Sequence, residues 1–460
     1  MTIDYAWCYN RGRFSLLHAA ALWGALACAI PSLAQTNWTS FLSGHLPDAP
    51  DDNLPLRWSP TENIAWQAAL PGHGQSSPIV WQDRVFVTAV EGPNKDTYYV
   101  LALDLVTGQV RWKFALESSD KVPDSYFVSR AAPTPVTDGR AVYAFFESGD
   151  LVALTPDGQL LWRRSLSQDY GRFANEFGLA ASPIQIDGMV ILLVDHEAGG
   201  YLIALDKQDG RTLWKSDRTA RRSWSSPSLV SVQGRWQVVC SSAGSVDGYD
   251  PRTGELLWSF QDVVGNTAAT PLPFGEGLFL VGASPGREGG ARMEGARKSN
   301  FAASIVWRDG KPSLDVLWRN EHSTPSFASP IVYRGHAYWV NTVGVVHCFD
   351  AASGQLRYAE RIRQSCWATP LGRGDRIYFF GKDGLTSVLR AGPEFELLAE
   401  NQLWDPSTVK PDPAKIAAEK TEERRRAAAN FSGRTVYGVA AVNGTLLVRT
   451  GDVLYCLRQK

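Results

Sequence analysis

Five side chains of types suited to ligand binding lie in polar segments of this sequence. Aromatic rings and guanidinium groups dominate the energetics of binding surfaces. The candidate ligand-binding residues are Arg130, Glu197, Trp224, Asn266 and Trp367. Glu197 also follows His196, and an imidazole beside a carboxylate is suited to proton transfer. A polar loop pair without chemistry is the alternative interpretation of these two neighbours.

Established catalytic motifs are scarce in the remainder of the chain. The sequence contains no HExxH metal motif, no phosphate-binding loop and no CxxC pair. Four cysteines lie beyond the N-terminal region, namely Cys240, Cys348, Cys366 and Cys456. Cys348 and Cys456 each take the position of a small apolar residue in a sequence repeat, so we expect buried fillers there. Cys240 and Cys366 are open to disulfide formation if the protein is exported.

Composition narrows the class of partner. The 460 residues include 46 Lys+Arg and 47 Asp+Glu, so the chain has no strong net field. This balance disfavours nucleic acid or an anionic membrane surface as a partner. Seventeen Trp and 41 Gly are typical of a turn-rich β-protein.

A repeat covers most of the chain and places these side chains. The clearest copy, LALDLVTGQVRW at 101–112, joins two strands through a turn with Asp104 and Gly108 and ends on Trp112. Asp side chains bond turn backbones, and Gly permits the positive φ that such turns need. We expect the aromatic side chain to pack between neighbouring sheets. Four short strands per copy are typical of one β-propeller blade.

The number of copies predicts the number of blades. Seven copies begin with Ser-Pro or Thr-Pro, at Ser77, Thr134, Ser182, Ser226, Thr270, Ser329 and Thr369. An eighth is divided between the two ends, because 436–459 supplies three strands and 64–70 an isolated fourth. Pairing these segments removes exposed sheet edges. The sequence therefore predicts an all-β, eight-bladed β-propeller of four-stranded antiparallel blades over residues 62–460, closed by the N-terminal strand pairing with the C-terminal blade.

Two insertions interrupt the repeat. Residues 282–300 are rich in Gly and Arg, which predicts an irregular loop in the fifth blade. Residues 405–431 are rich in Ala, Glu, Lys and Arg and follow several prolines. This composition predicts a charged helix on the surface of the propeller.

The N-terminus has the pattern of an export signal. Arg11 and Arg13 precede an apolar run over 14–30, and small residues at 32 and 34 provide a cleavage site. The run is short for a membrane span, so we expect a cleaved signal peptide at 1–34 and no transmembrane span. Residues 35–61 are then a lead-in segment. The mature protein is expected in the periplasm or secreted, with a lipid anchor on Cys28 as the alternative.

The AxDxxTGxxxW pattern, complete at Ala102, Asp104, Thr107, Gly108 and Trp112, resembles the tryptophan-docking motif of quinoprotein (pyrroloquinoline-quinone, PQQ) propellers. The segments at 54–66 and 437–456 are also similar to exported bacterial PQQ-like repeat proteins. This superfamily contains dehydrogenases and non-enzymatic scaffolds, among them an eight-bladed outer-membrane assembly lipoprotein. The resemblance implies the fold more specifically than it implies a function.

The dehydrogenase branch of the resemblance implies a bound quinone and calcium. Trp224 would form the floor of the quinone site, and Glu197 would be a calcium ligand. Ser242 and Asn266 lie near the places of the remaining calcium ligand and the catalytic Asp, and neither suits those roles. The chain also lacks the adjacent cysteine pair that many of these enzymes have.

We therefore predict a non-catalytic, exported binding or scaffold propeller without a cofactor. Its site is expected on the channel face, where loops join each blade to the next. The expected partner is a protein, a glycan or a small organic ligand, and the expected state is a monomer. The alternatives are a PQQ- and calcium-dependent dehydrogenase of alcohols or sugars, and an outer-membrane protein assembly factor. Side chains that only plug the channel are a further interpretation of these loops.

Overall fold

Eight four-stranded antiparallel sheets make up the computed structural model, which describes residues 37–51, 53–284, 291–325 and 327–459. The predicted signal peptide at 1–34 and Cys28 lie outside these residues. Blade 1 contains β2 (Ile79–Trp81), β3 (Arg84–Glu91), β4 (Thr97–Asp104) and β5 (Val110–Glu117), and blade 2 contains β6 (Val136–Thr137), β7 (Val142–Phe145), β8 (Asp150–Leu154) and β9 (Leu160–Ser165). Blade 3 contains β10 (Ile184–Ile186), β11 (Met189–Val194), β12 (Gly200–Asp206) and β13 (Thr212–Arg218), and blade 4 contains β14 (Ser228–Val232), β15 (Arg235–Ser242), β16 (Ser245–Tyr249) and β17 (Leu256–Phe260).

Blades 5 to 8 complete the ring. Blade 5 contains β18 (Leu272–Gly275), β19 (Leu278–Val281), β20 (Phe301–Arg308) and β21 (Lys311–Arg319), and blade 6 contains β22 (Ile331–Tyr333), β23 (His336–Val340), β24 (Val345–Asp350) and β25 (Leu356–Arg361). Blade 7 contains β26 (Leu371–Arg373), β27 (Arg376–Phe380), β28 (Leu385–Arg390) and β29 (Leu397–Gln402), and blade 8 contains β30 (Gly438–Val442), β31 (Thr445–Arg449), β32 (Val453–Arg458) and β1 (Ile64–Ala69). In blade 8, β1 pairs antiparallel with β32, with Trp66 opposite Cys456. The predicted closure by the N-terminal strand is confirmed.

Tryptophans on the outer strands join most neighbouring blades. Each docked indole donates from Nε1 to a backbone carbonyl in the β-turn of the next blade and lies over a glycine of that turn in all five cases below. The bonds are Trp66 to Leu105 (3.1 Å), Trp112 to Pro156 (2.8 Å), Trp162 to Lys207 (2.9 Å), Trp214 to Pro251 (3.0 Å) and Trp318 to Ala351 (2.9 Å). Gly108, for example, would place a Cβ 2.5 Å from the Trp66 ring. The packing role expected from the repeat therefore holds at these positions.

Trp258 is an exception among the repeated tryptophans. Its Nε1 donates to Oε1 of Gln237 in its own blade, at 2.7 Å. In blade 5 the corresponding strands, β20 and β21, join through a tight hairpin in which Arg308 pairs with Lys311. This hairpin lacks the longer Asp-containing turn of the other copies, so it offers no docking surface to the indole.

The Ser/Thr-Pro residues form a second link between blades. The hydroxyl oxygen of each except Ser77 accepts a hydrogen bond from the backbone N–H of the equivalent residue in the preceding blade. Six such bonds of 2.9 to 3.2 Å run from Ser77 through Thr134, Ser182, Ser226, Thr270 and Ser329 to Thr369. In blade 8 the equivalent position is Gly438, which has no hydroxyl group. These buried bonds explain why a hydroxyl residue starts blades 2 to 7.

The insertions differ from the sequence expectation. Residues 282–300, expected as an irregular loop, contain helix α2 (Ala291–Lys298), whereas 285–290 lie outside the described residues. The insertion after blade 7 forms a 3-10 helix (Pro406–Thr408) and two helices, α3 (Pro413–Ala417) and α4 (Glu422–Phe431). α1 (Leu166–Tyr170) follows β9. The predicted helical content after blade 7 is confirmed, but its surroundings are not those of a free surface helix, as shown below.

The lead-in segment packs on the face opposite to the inter-blade loops. Backbone N–H groups in the turns between the first and second strands bond to it: Gln82 donates to the Asn37 side chain (2.8 Å) and Arg334 to the Pro47 carbonyl (2.8 Å). Trp38 in this segment is fully buried. Among the described residues no helix has the length and apolar character that a membrane span needs.

All four cysteines of the described region are buried free thiols, namely Cys240, Cys348, Cys366 and Cys456. Burial raises the pKa of the Cys240 thiol to about 12, and the same cause raises that of Cys348 to about 12. The thiols are therefore protonated and unreactive at neutral pH. Cys348 and Cys456 lie opposite aromatic residues of the outer strands, as fillers of a small position do.

Candidate functional site

The insertion after blade 7 crosses the channel face, and residues 405–434 are called the cap below. Nζ of Lys415 lies 2.8 Å from Oδ2 of Asp124 in the loop between blades 1 and 2. Oγ of Ser125 in the same loop donates to Oε1 of Glu419 (2.7 Å), whose side chain is buried. Arg424 forms an ion pair with Glu176 between blades 2 and 3. The cap therefore contacts inter-blade loops far from it in sequence.

An aromatic cluster fixes the end of the cap. The ring of Phe431 in α4 lies 5.2 Å from Phe127 and 5.5 Å from Trp367 between ring centroids. Trp367, a predicted site residue, also contacts Phe327 at 4.8 Å and Tyr437 at 6.4 Å. Phe327 is 50% exposed. Trp367 thus lies between the cap and an aromatic side chain that faces solvent.

The cap and blades 8 and 1 line an open cavity of about 950 Å³. Arg130, a predicted site residue, lines this cavity and is only 2% exposed. Its guanidinium lies over the Tyr126 ring at 5.6 Å, and its Nε is 3.9 Å from Oδ1 of Asp124. That distance is too long for a hydrogen bond. Arg130 is thus a buried cation at the wall of a cavity.

Glu197 is engaged by a cation of the protein. Its carboxylate forms an ion pair with Nε of Arg222, and both side chains are about two-fifths exposed, at 43% and 41%. The Arg222 guanidinium lies 5.8 Å from the Phe177 ring centroid. A calcium ion at Glu197 would have to displace this guanidinium. The carboxylate is therefore poorly arranged as a metal ligand.

His196 and Trp224 hold loops in position. Nδ1 of His196 accepts from the backbone N–H groups of Ala174 and Ala198, each at 3.3 Å, and burial lowers the pKa of the imidazole. The Trp224 indole donates to the Gly178 carbonyl at 2.9 Å. Its ring contacts Phe177 at 6.0 Å, with the edge of one ring toward the other. The interpretation of His196 as part of a polar loop fits this geometry.

Asn266 is fully buried below the loops. Its Nδ2 donates to Ser241 Oγ (3.1 Å) and to the Ser245 carbonyl (2.7 Å), and its Oδ1 accepts from Gly244 N (3.2 Å). Neighbouring Ser242 is similarly engaged, because it bonds to Asp195 and to Arg218. Both groups of the Asn266 amide are thus used inside the protein.

Four of the five predicted site residues lie around the cap. Arg424 of α4 lies over the rings of Phe127 (5.5 Å) and Phe177 (5.7 Å), and so links the Phe431 cluster to the Phe177 neighbourhood of Trp224 and Arg222. Asn266 lies apart from this group. The cap residues themselves were missed by sequence reasoning. An aromatic residue, Phe431, at the end of a charged helix was the available signal, since such a side chain needs an apolar partner.

The described part of the chain contains no cluster of three or more His, Cys, Asp or Glu arranged to hold a metal ion. By its fold and its channel face, the protein is an eight-bladed propeller of the tryptophan-docked type, with a helical cap on the channel face. The sequence profile of the family described as "Outer membrane protein assembly factor BamB" matches residues 57–180, 172–268 and 310–454. The chain belongs to this family.

Individual relatives are distant. An outer membrane protein assembly factor BamB from Alkalilimnicola ehrlichii is 25% identical over 211 residues, which cover 46% of this chain and 49% of the relative. A polyvinylalcohol dehydrogenase from Pseudomonas sp is 26% identical over 271 residues, covering 51% and 40%. The chain spans about half the length of the curated relatives it matches. The crystal structure of BamB from Moraxella catarrhalis aligns with a TM-score of 0.55 at 12% identity, covering 86% of this chain and 99% of that one, which shows the shared fold.

Proposed function

We propose that the protein is an exported, non-catalytic scaffold that binds a protein partner through its channel face. The observation that carries the proposal is the ion pair between Arg222 and Glu197. A cation of the protein occupies the carboxylate that a calcium-dependent quinone enzyme would need. With the Asn266 amide also consumed by internal hydrogen bonds, the residues present do not fit a quinone and calcium site.

Exposed apolar side chains on the same face favour a protein as the partner. They belong to inter-blade loops, to a turn between inner strands and to α2: Val264 (39% exposed), Met293 (39%), Phe327 (50%) and Val343 (54%). Such residues supply the apolar part of a protein interface. The membership in a family described by outer membrane protein assembly supports a partner of this kind. Assembly of outer-membrane proteins is the narrower function that we propose.

Reconstitution tests the non-catalytic part. The purified protein is incubated with PQQ and Ca²⁺, and dye-linked oxidation of alcohols and sugars is measured. We expect no oxidation, for the wild type and for Arg222→Gln, which releases Glu197 from its ion pair. Quinone-dependent turnover by the wild type would overturn this part of the proposal.

Complementation tests the scaffold part. In a strain that lacks the protein, outer-membrane β-barrel proteins are quantified after expression of wild type, Phe327→Asp or Val106→Asp. Val106 is a matched control, because it is 63% exposed but lies in a turn on the opposite face. We expect Phe327→Asp to fail and Val106→Asp to restore the wild-type level. Equal complementation by both variants would exclude the channel face as the binding surface.

Export is tested on the same strain. We propose that the mature protein is periplasmic and begins at Gln35, so mass spectrometry of its N-terminus should find this residue. A lipid on Cys28 would instead show an anchored form.

A further inference from the structure

We propose that the cavity beneath the cap binds a small organic oxyanion, a carboxylate or a phosphate group, through Arg130, Arg434 and His73. This site is separate from the exposed apolar side chains to which a protein partner is assigned above. The inference does not depend on that function.

Several donor atoms at the cavity have no partner. Nε of Arg130, Nε of Arg434 and Nε2 of His73 are buried nitrogens without a hydrogen bond in the described part of the protein. All three side chains line the cavity. Buried polar groups in folded proteins are normally paired, and an unpaired donor in a cavity indicates a ligand or bound water. Three such nitrogens on side chains around one cavity suit the several acceptor lone pairs of an oxyanion.

The carboxylates at the cavity do not supply the missing partners. Asp124 accepts from Lys415 (2.8 Å), Asp452 accepts from Nη2 of Arg434 (3.3 Å), and Asp412 accepts from the first N–H groups of α3. Glu91, the fourth carboxylate of the lining, accepts from the Tyr99 hydroxyl (2.9 Å), so each carboxylate has a donor of its own. Nε of Arg130 and Nε2 of His73 receive no hydrogen-bond partner from them.

The electrostatic field at this wall is positive. Desolvation and the charges of Arg130, Arg449 and Lys415 lower the pKa of His73 well below its usual value. Arg449 is fully buried and bonds only through Nη2, to the carbonyls of Thr88 (3.2 Å) and Gly451 (3.1 Å), while its Nε and Nη1 have no partner. A buried cation without a carboxylate partner is costly. An anion in the cavity would offset that cost.

The close approach of Gly451 fixes the position of the imidazole. His73 lies directly on Gly451, where a Cβ would be 1.9 Å from Cε1 of the ring. Any side chain at 451 would push the imidazole away from its place in the cavity wall. The volume of about 950 Å³ lies in the range of small-molecule sites.

An ion pair between Arg130 and Asp124 is the competing explanation for the unpaired Nε of Arg130. Nε of Arg130 and Oδ1 of Asp124 both lack hydrogen bonds and lie 3.9 Å apart, so a small shift would join them. The two explanations differ in the effect of Asp124→Asn. Removal of the negative charge strengthens anion binding if the cavity is an anion site.

The test uses the full mature protein with citrate and, separately, inorganic phosphate as probes. Binding is measured by calorimetry and by the ligand-dependent rise in Tm. We expect saturable, salt-sensitive binding of at least one probe, weakened about tenfold or more in Arg130→Gln, since a hydrogen bond to a charged group contributes about 1.5–3 kcal/mol. Citrate alone identifies a carboxylate ligand, and phosphate alone identifies a phosphorylated one.

Two further variants make the test decisive. Asp124→Asn should bind the probe more tightly than wild type, and Arg222→Gln, an arginine of the same face outside the cavity, should bind it unchanged. Absence of millimolar binding by wild type would overturn the inference, as would equal weakening in Arg130→Gln and Arg222→Gln. Because the readout is direct binding, failure here is distinguishable from loss of complementation by Phe327→Asp.

Discussion

Trp258 and Gly248 face each other across β16 and β17, so closely that a Cβ on Gly248 would lie 2.1 Å from Cε2 of the indole. Elsewhere in the ring the corresponding indole extends over a glycine of the next blade, as Trp214 does over Gly254. The indole of Trp258 folds back because blade 5 has no docking turn. The boundary between blades 4 and 5 is therefore held without this contact.

The close approach makes Gly248 intolerant of a side chain. Gly248→Ala inserts a methyl group into the indole, and overpacking of this kind costs about 1–3 kcal/mol. The free energy of unfolding from denaturant titration is the measurement. Gly188→Ala is the matched control, because no atom lies within 4 Å of its Cβ position. Equal stability of the two variants would show that the indole moves aside without cost.

The hydrogen bonds that join the Ser/Thr hydroxyls to backbone N–H groups of neighbouring blades predict a second stability effect. Ser226→Ala removes the acceptor of the Ser182 N–H (2.9 Å) and leaves a buried donor unpaired. An unpaired buried donor costs about 1–3 kcal/mol. Ser226→Thr keeps the hydroxyl and should retain nearly all of the stability, since Thr270 serves the same role in the next blade. Similar losses in both variants would assign the effect to packing instead.

The architecture could be predicted from the sequence because its signals are local. Each blade has its own turn residues and its own Ser/Thr-Pro start, and the eighth blade was recognisable from its unmatched strand. That Trp258 does not dock on the next blade was not predictable from its own repeat. This repeat has the tryptophan-docking motif, but the docking surface belongs to the next blade. The place of the cap was equally hidden. Lys415 and Asp124 are 291 residues apart. The sequence pattern of a charged helix does not predict which distant loop the helix contacts.

The candidate site shows the same division. The sequence singled out Arg130, Trp224 and Trp367 as site candidates because Arg and aromatic residues in inter-blade loops are uncommon on a solvent-exposed surface, and their role stays a prediction. It could not show that Arg222 neutralises Glu197 or that Asn266 is buried, since both depend on how loops of separate blades meet.

Acid should destabilise the protein through His45 in the lead-in segment. Desolvation and the charge of Arg373 lower the pKa of His45 from 6.5 to about 3. Between these values the unfolded chain binds a proton that the folded chain does not, so stability falls as pH decreases from 6.5 toward 3, by about 1.4 kcal/mol per pH unit. His45→Phe keeps a ring against Trp38, which lies 5.3 Å away, and lacks the titrating group.

The check is the unfolding free energy of both proteins between pH 7 and 4. We expect the wild type to lose stability more steeply than His45→Phe, with a difference in slope of about one proton. Parallel curves would mean that His45 is protonated at its usual pH in the folded protein.

Phe431 should control the opening of the cap. Phe431→Ala removes the ring contacts with Phe127 and Trp367, which join α4 to the loops on the channel face. Arg424 and its neighbours in α4 are trypsin sites, and cleavage there requires the helix to unfold locally. The variant loses roughly 1–3 kcal/mol of local stability from partly buried apolar area, so we expect cleavage within the cap to become about tenfold faster or more.

Limited proteolysis followed by mass spectrometry measures the rate at each site. Phe395→Ala is the matched control. Phe395 is likewise a partly buried ring packed against an aromatic side chain, Tyr358 at 5.7 Å, but it lies outside the cap. Its truncation should leave cleavage in the cap at the wild-type rate. Acceleration by both variants would indicate unfolding of the whole propeller, whereas acceleration by Phe431→Ala alone, with an unchanged rate in the blades, shows that the cap opens as a unit on a closed ring.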